Sequence, residues 1–314
     1  MAHYDPSKVK LGCMPSRRDK RTLKLANYVA LPKPPAECRW DKIKASNLWG
    51  DDGNSTYGNC VIVCAAHMLD SAIANESDPN AKRISDADVI SLSRTMGALN
   101  GYNILDRLNW WRKTGMWGHK IQAFASVNLH NRDLIKYTIN AFGSIDLAVN
   151  LPIAWQGTDT WECGNGRSYN PGSWGGHSIP ALGYDDSWIY VCTWGEIIPC
   201  SWDALDLYFD EQYAVILPEW FAADAKSPSG FDSAALMKDL VAIGDNPTFD
   251  PTPLPPPVVV PPVDPPPQPP APLPVPTPVD WAAFIVKLLE ILIKLFGPQK
   301  AAEIIAEVER EHRG

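Results

Sequence analysis

Asn54-Ser55-Thr56-Tyr57-Gly58-Asn59-Cys60-Val61-Ile62-Val63-Cys64-Ala65-Ala66-His67-Met68-Leu69 is the stretch on which the fold turns. A polar loop runs into an apolar segment, which predicts a helix over 61–73 with Cys60 in its first turn. There the unpaired backbone N–H groups and the positive dipole end favour a thiolate. So continuous an apolar run predicts a helix buried on most sides, able to hold the thiol rigidly. Taken alone, the segment describes a buried thiol at a helix start more readily than a nucleophile. His67 lies seven residues further on, roughly 10 Å along the axis at about 1.5 Å per residue, so it cannot serve Cys60. It is expected to be a partly buried helix residue.

A second stretch changes the balance. Gly175-Gly176-His177-Ser178-Ile179-Pro180-Ala181-Leu182-Gly183-Tyr184-Asp185 puts a histidine before a short strand. After a turn, Trp188-Ile189-Tyr190-Val191-Cys192-Thr193-Trp194-Gly195 supplies a second strand in hairpin order.

Together these stretches resemble the papain-like cysteine peptidases. That family carries Q-x-x-x-G-S-C-W at the start of a central helix, then H-A-V-x-x-V-G-Y and a strand ending N-S-W-G. Asn54 stands where the family has Gln, and Gly58 and Cys60 match directly. His177, Gly183, Tyr184, Trp194 and Gly195 match the second block. Between them, Arg39-Trp40-Asp41 is similar to an early D-W-R segment, and Ile84 to Val89 to L-S-E-Q-x-L, with Ser85 a natural helix N-cap. Gly101 to Gly115 resembles the following helix, and Ile135 to Val149 a helix–glycine–strand unit. About 180 residues are covered in the family's order, from about 36 to 217.

The resemblance implies an α+β fold of two lobes, one helical and one an antiparallel β-sheet. It implies a peptidase or amidase working through a thioester, without a cofactor. Cys60 would be the nucleophile and His177 the base, while Asn54 and the Cys60 N–H would hold the oxyanion. Three departures follow from the same comparison. Asn54 is one methylene shorter than Gln, Val61 replaces Trp, and Cys192 falls where an Asn orients the histidine. Thr193 or Cys192 would then take that orienting role, leaving a Cys–His dyad. The roughly 35 residues before the domain are too few for the long inhibitory propeptide of lysosomal relatives, so zymogen cleavage of that kind is not expected.

Composition sets outer limits. A formal charge of −8 argues against general nucleic-acid binding, despite the basic cluster Arg17, Arg18, Lys20, Arg21 and Lys24, read as a solvated arm. Seven cysteines without regular or CxxC spacing do not suggest a disulfide framework or structural zinc. The N-terminus lacks an apolar signal core, so synthesis in a reducing cytoplasm is expected. The organisation expected is an arm over 1–35, a hydrolase domain over 36–245, a spacer over 246–278 and a helical tail over 279–314. Residues 247–278 hold 17 of the 30 prolines, which predicts an extended spacer reaching at most roughly 100 Å. In the tail, Lys287, Glu290 and Lys294 share one helix face opposite Trp281, Phe284 and Leu288. It is too short and too polar to span a membrane, and reads as an oligomerisation or docking helix, with an in-plane membrane helix as runner-up. Two functions remain open. One is a peptidase acting on peptide or protein substrates. The other is a papain-like structural protein without turnover, since segments such as Thr193 to Glu196 and Asp210 to Ile216 look like uncharacterised papain-like proteins of bacteria and their phages. That likeness points towards a phage or virion-associated role.

Overall fold

Helix α1, Cys60–Ala72, is buried along its whole length, because both lobes of the molecule close around it. The computed structural model describes residues 4–17, 19, 22–27, 33–41, 49–77 and 83–220. The expected proline spacer, the helical tail, and Arg18, Lys20 and Arg21 of the basic cluster lie outside the described residues.

The helical lobe adds α2, Asp86–Thr95, and α3, Ile104–Lys113. Val89, Ile104, Leu108 and Trp111 turn inward onto Val61, Ala65 and Leu69 of α1, forming one apolar cluster. Both helices start on side-chain caps. The Ser85 hydroxyl accepts from the Asp88 N–H at 3.2 Å, and Asn103 Oδ1 accepts from the Leu105 N–H at 3.0 Å.

The second lobe is a sheet with α4, Arg132–Phe142, and α5, Trp202–Tyr208. Its strands are β1 (Leu23–Lys24), β2 (Cys38–Arg39), β3 (Ala123–Ser126), β4 (Ile145–Leu151), β5 (Gly175–Tyr184), β6 (Trp188–Thr193), β7 (Glu196–Ser201) and β8 (Phe209–Ile216). The order is β1-β3-β8-β4-β5-β6-β7, with β2 also on β5; β1–β3 is the one parallel pair among the described strands. Helix α4 ends at Gly143 with φ of 81°, a left-handed stop that only glycine adopts freely, and the chain turns at once into β4. Ile135, Ile139, Leu147, Ile179 and Val191 belong to this lobe's own cluster, while Ala148, Tyr213 and Val215 face the helical lobe.

The α+β architecture matches the sequence expectation, with two differences in the sheet. His177 lies inside β5, opposite Val149, because Gly175 and Gly176 already pair with Leu151 and Asn150. The hairpin also continues into β7, which the sequence pattern missed. Pro199 argues against a central strand, and β7 is an edge strand, where a missing N–H is tolerated.

Between the lobes Arg107 of α3 pairs with Asp146 of β4, both fully buried, and the Cys64 thiol donates to Asp146 Oδ1 at 3.2 Å. Removing one partner leaves the other charge uncompensated in the core. Arg107→Met should therefore lower unfolding free energy by about 3–5 kcal/mol in urea titration. Adding Asp146→Asn should restore part of that loss; no recovery in the double variant would show the pair to be energetically uncoupled.

Candidate active site

Cys60 is the first residue of α1, its thiol buried where the backbone N–H groups of Ser178, Gly12, Val61 and Cys60 itself favour the thiolate. Two forces oppose each other at this thiol. Burial penalises the thiolate while the N–H groups favour it; burial wins, and the thiol is pushed up to about 11. Helix α1, which begins at Cys60, packs against β5, which carries His177 and Ser178, bringing the two chain segments of interest together.

His177 is held from two sides. Its Nε2 lies 2.7 Å from Thr193 Oγ1, and its ring stacks on Trp194 with centroids 4.6 Å apart and planes 17° from parallel. Trp194 takes a φ of 49°, costly for a non-glycine residue, and so leaves β6 with its indole flat on the imidazole. His177 Nδ1 is buried with no hydrogen-bond partner among the described residues. Burial first, and the charge of His67 second, lower the imidazole to about 3, so it is neutral at ordinary pH.

Asn54 is joined to this group. Its Oδ1 accepts from Trp194 Nε1 at 2.9 Å, and its Nδ2 donates to the carbonyls of Tyr57 at 2.9 Å and Lys10 at 3.1 Å. Cys192 points to the opposite face of β6. Its sulfur lies 3.4 Å from His67 Nδ1, well away from His177 in its partnership. His67 Nε2 in turn meets the Gly50 carbonyl at 3.1 Å and Asp52 Oδ2 at 2.9 Å, and Asp52 also pairs with Arg83. Although burial opposes it, His67 is raised well above its usual range by Cys192 and Asp52. The sequence pattern gave no hint that α1 carries a second, wholly buried Cys–His–Asp array, because its members are 140 residues apart at the extremes and meet only in three dimensions.

Among solved structures, xylellain, a cysteine protease from Xylella fastidiosa, superposes with a TM-score of 0.53 at 14% identity, over 67% of this chain and 96% of that one. The fold is papain-like. Procathepsin B S9 from Trypanosoma congolense (TM-score 0.48, 10% identity, 68% of this chain and 87% of that one) is also similar. So is digestive procathepsin L 3 from Tenebrio molitor larval midgut (0.46, 12%, 68% and 78%). No family model matches the sequence, and no curated protein matches it.

On this papain-like frame residues 4–17 of the expected arm pack on the domain, while Arg17 and Lys24 of the basic cluster are exposed. The segment crosses the seam between the lobes directly over Cys60. Tyr4 packs on Trp194 with centroids 4.6 Å apart, the Lys10 N–H donates to the Asn54 carbonyl, and the Cys13 N–H donates to the Gly176 carbonyl at 3.1 Å. The one sequence mark of this segment is Gly12, isolated between Leu11 and Cys13. A cavity of about 310 Å³ remains beside it, lined by Cys13, Met14, Ala148, Val149, Asn150 and Asp210 among others. No group of three or more His, Cys, Asp or Glu among the described residues could hold a metal, and no described helix is long and apolar enough to cross a membrane.

The lowered His177 sets a pH dependence. Unfolded, the imidazole takes up a proton below about 6.5; folded, it resists until about 3. Its contribution to stability is thus complete above pH 6.5 and is lost as pH falls towards 3. Glu211 (pushed up to about 7) and Asp70 (about 8), both raised chiefly by burial, act in the opposite sense, so the comparison must be between variants. Melting temperature between pH 7 and 4 should fall less steeply in His177→Gln than in the wild type; equal slopes would mean that His177 is already solvated.

Proposed function

We propose that the chain is a cysteine peptidase or amidase that cleaves peptide bonds through a Cys60–His177 dyad and a thioester. The observation that carries this reading is the packing of α1, which begins at Cys60, against β5, which carries His177, with the imidazole fixed by Thr193 and Trp194. His177 would take the thiol proton as sulfur attacks the carbonyl, then return it to the leaving amine. The Cys60 N–H and Asn54 Nδ2 would hold the oxyanion; that Nδ2 already donates to a peptide carbonyl, Lys10 O, at 3.1 Å. Thr193 serves as the positioning residue that Asn supplies elsewhere in the family, whereas Cys192 is engaged by His67.

In this reading residues 36–245 form the hydrolase body, 246–278 a spacer and 279–314 a docking or oligomerisation helix. A second reading, a papain-like structural protein without turnover in a phage or virion setting, draws support from the uncharged state of both Cys60 and His177.

Prolonged incubation with a peptidyl epoxide separates the two. The peptidase reading expects a single label on Cys60, absent in Cys60→Ala and slowed roughly 100-fold or more in His177→Ala. Thr193→Val should slow labelling about tenfold through loss of one hydrogen bond that orients the ring. Labelling that is indifferent to His177→Ala would leave the structural reading standing.

A further inference from the structure

The end of β6 that carries Thr193 is not laddered to the strand that carries His177. Pairing between β5 and β6 closes at Ala181 opposite Val191, so Cys192 and Thr193 lie beyond it. Those two residues pair instead with Ile197 and Glu196 of β7, the edge strand of the sheet. Main-chain pairing alone would therefore let the ends of β6 and β7 swing away from His177 as one hairpin. On the His177 face the gap is closed by side chains, with Thr193 Oγ1 2.7 Å from Nε2 and the Trp194 indole stacked on the ring.

Strand alternation turns Cys192 to the other face of the same end, where it meets α1. Its sulfur lies 3.4 Å from His67 Nδ1. The His67 ring is itself fixed. Nε2 faces the Gly50 carbonyl at 3.1 Å, an oxygen that only accepts, so Nε2 carries a proton whatever the charge of the ring. Nδ1 is left to accept the Cys192 S–H or to donate to its thiolate. Asp52 Oδ2 stands 2.9 Å from Nε2 as a counter-charge, and Asn59, next to the nucleophile, donates through Nδ2 to the Asp52 carbonyl at 3.1 Å. Trp49 closes edge-on over the ring with centroids 5.9 Å apart. The group has the members of a catalytic triad without its access. His67, Asp52 and Cys192 are each 1% exposed, so no substrate reaches this sulfur.

We propose that His67 and Cys192 are positioning residues for the Cys60–His177 pair: their contact pins the end of the β6–β7 hairpin to α1, and so holds Thr193 and Trp194 against His177. The role assigned to this anchor rests on the peptidase reading, in which His177 is the base, while the placement of the ring is measurable without turnover. Helix α1 carries Cys60 at its start and His67 about two turns on, so nucleophile and hairpin end are referred to one rigid element. Cys192 and Thr193 project from opposite faces, so a strand rocking about its own axis moves both, and an anchor on one face restrains the other. A second tie, from Trp194 Nε1 to Asn54 Oδ1 at 2.9 Å, holds the residue after the strand and leaves the Cys192–Thr193 step to His67.

Two measurements on the full-length chain test the anchor. Cys192→Ala removes the sulfur, and Cys192→Ser keeps a donor to His67. Cys192→Val fills the space without a hydrogen-bonding atom and carries the test if the alanine variant does not fold. In imidazole proton–carbon NMR spectra at neutral pH, the His177 signal is identified by its loss in His177→Gln. It should move in Cys192→Ala and Cys192→Val towards its position in Thr193→Val, and return towards wild type in Cys192→Ser. Peptidyl-epoxide labelling of Cys60 should slow about fivefold in Cys192→Ala, recover in Cys192→Ser, and slow no further when Cys192→Ala is added to Thr193→Val. A His177 signal unmoved in folded Cys192→Ala and Cys192→Val overturns the anchor, as does additive slowing in the double variant. If the signal moves as expected but labelling ignores His177→Ala, the anchor stands and the peptidase reading fails. If labelling depends on His177 while the Cys192 variants match wild type in both measurements, the peptidase reading stands and the anchor fails.

Discussion

The burial of the first turn of α1 governs the rest of this molecule. A helix start normally leaves its N–H groups to water or to a capping side chain, and Asn59 supplies no such side-chain bond here. Around the buried Cys60 thiol, N–H groups of Ser178, Gly12 and Val61, contributed by the sheet, the crossing segment and the helix, favour the thiolate. One atom is thereby the meeting point of both lobes. The same enclosure that fixes its position suppresses its ionisation, and it strips the charge from His177 for the same reason. Rigid placement and chemical readiness are in conflict as long as the seam is closed.

Enclosing α1 on every side also forces its polar residues to find partners inside. His67 does so through Asp52, Gly50 and Cys192, tying the loop before the nucleophile to β6. That tie has a consequence for the site, since Thr193 follows Cys192 and, on the other face of the strand, holds His177. Arg107 and Asp146 perform a comparable task between α3 and β4. These buried pairs are poor sources of net stability against an apolar alternative, but losing one partner is expensive, so they specify how the lobes meet.

The crossing segment completes the seam by a different kind of contact. Its neighbours are carbonyls and N–H groups at Tyr102 and Gly176, and glycines let the backbones approach. Val9 and Leu11 add apolar packing against the sheet lobe's cluster, while Lys10 and Met14 stay exposed.

Much of the frame was legible in local chemistry. The apolar run after Cys60 and the alternation after His177 act within a few residues, so pattern placed α1 and strands β5 and β6, while α2 to α4 and β4 came from the order of family-like segments, with Ser85 as a legible cap. The pairing of the Cys60 and His177 segments came from the order of motifs, not from any local force. Three features were decided only by tertiary structure. Cys192 and Thr193 are adjacent in sequence, yet strand alternation sends one to His67 and the other to His177. Pro199 obscured β7, because an edge position tolerates what a central strand does not. The course of the segment around Gly12 and Cys13 could not be read ahead of the structure, because backbone-to-backbone contacts between distant segments leave almost no trace in residue type beyond the glycines that permit them.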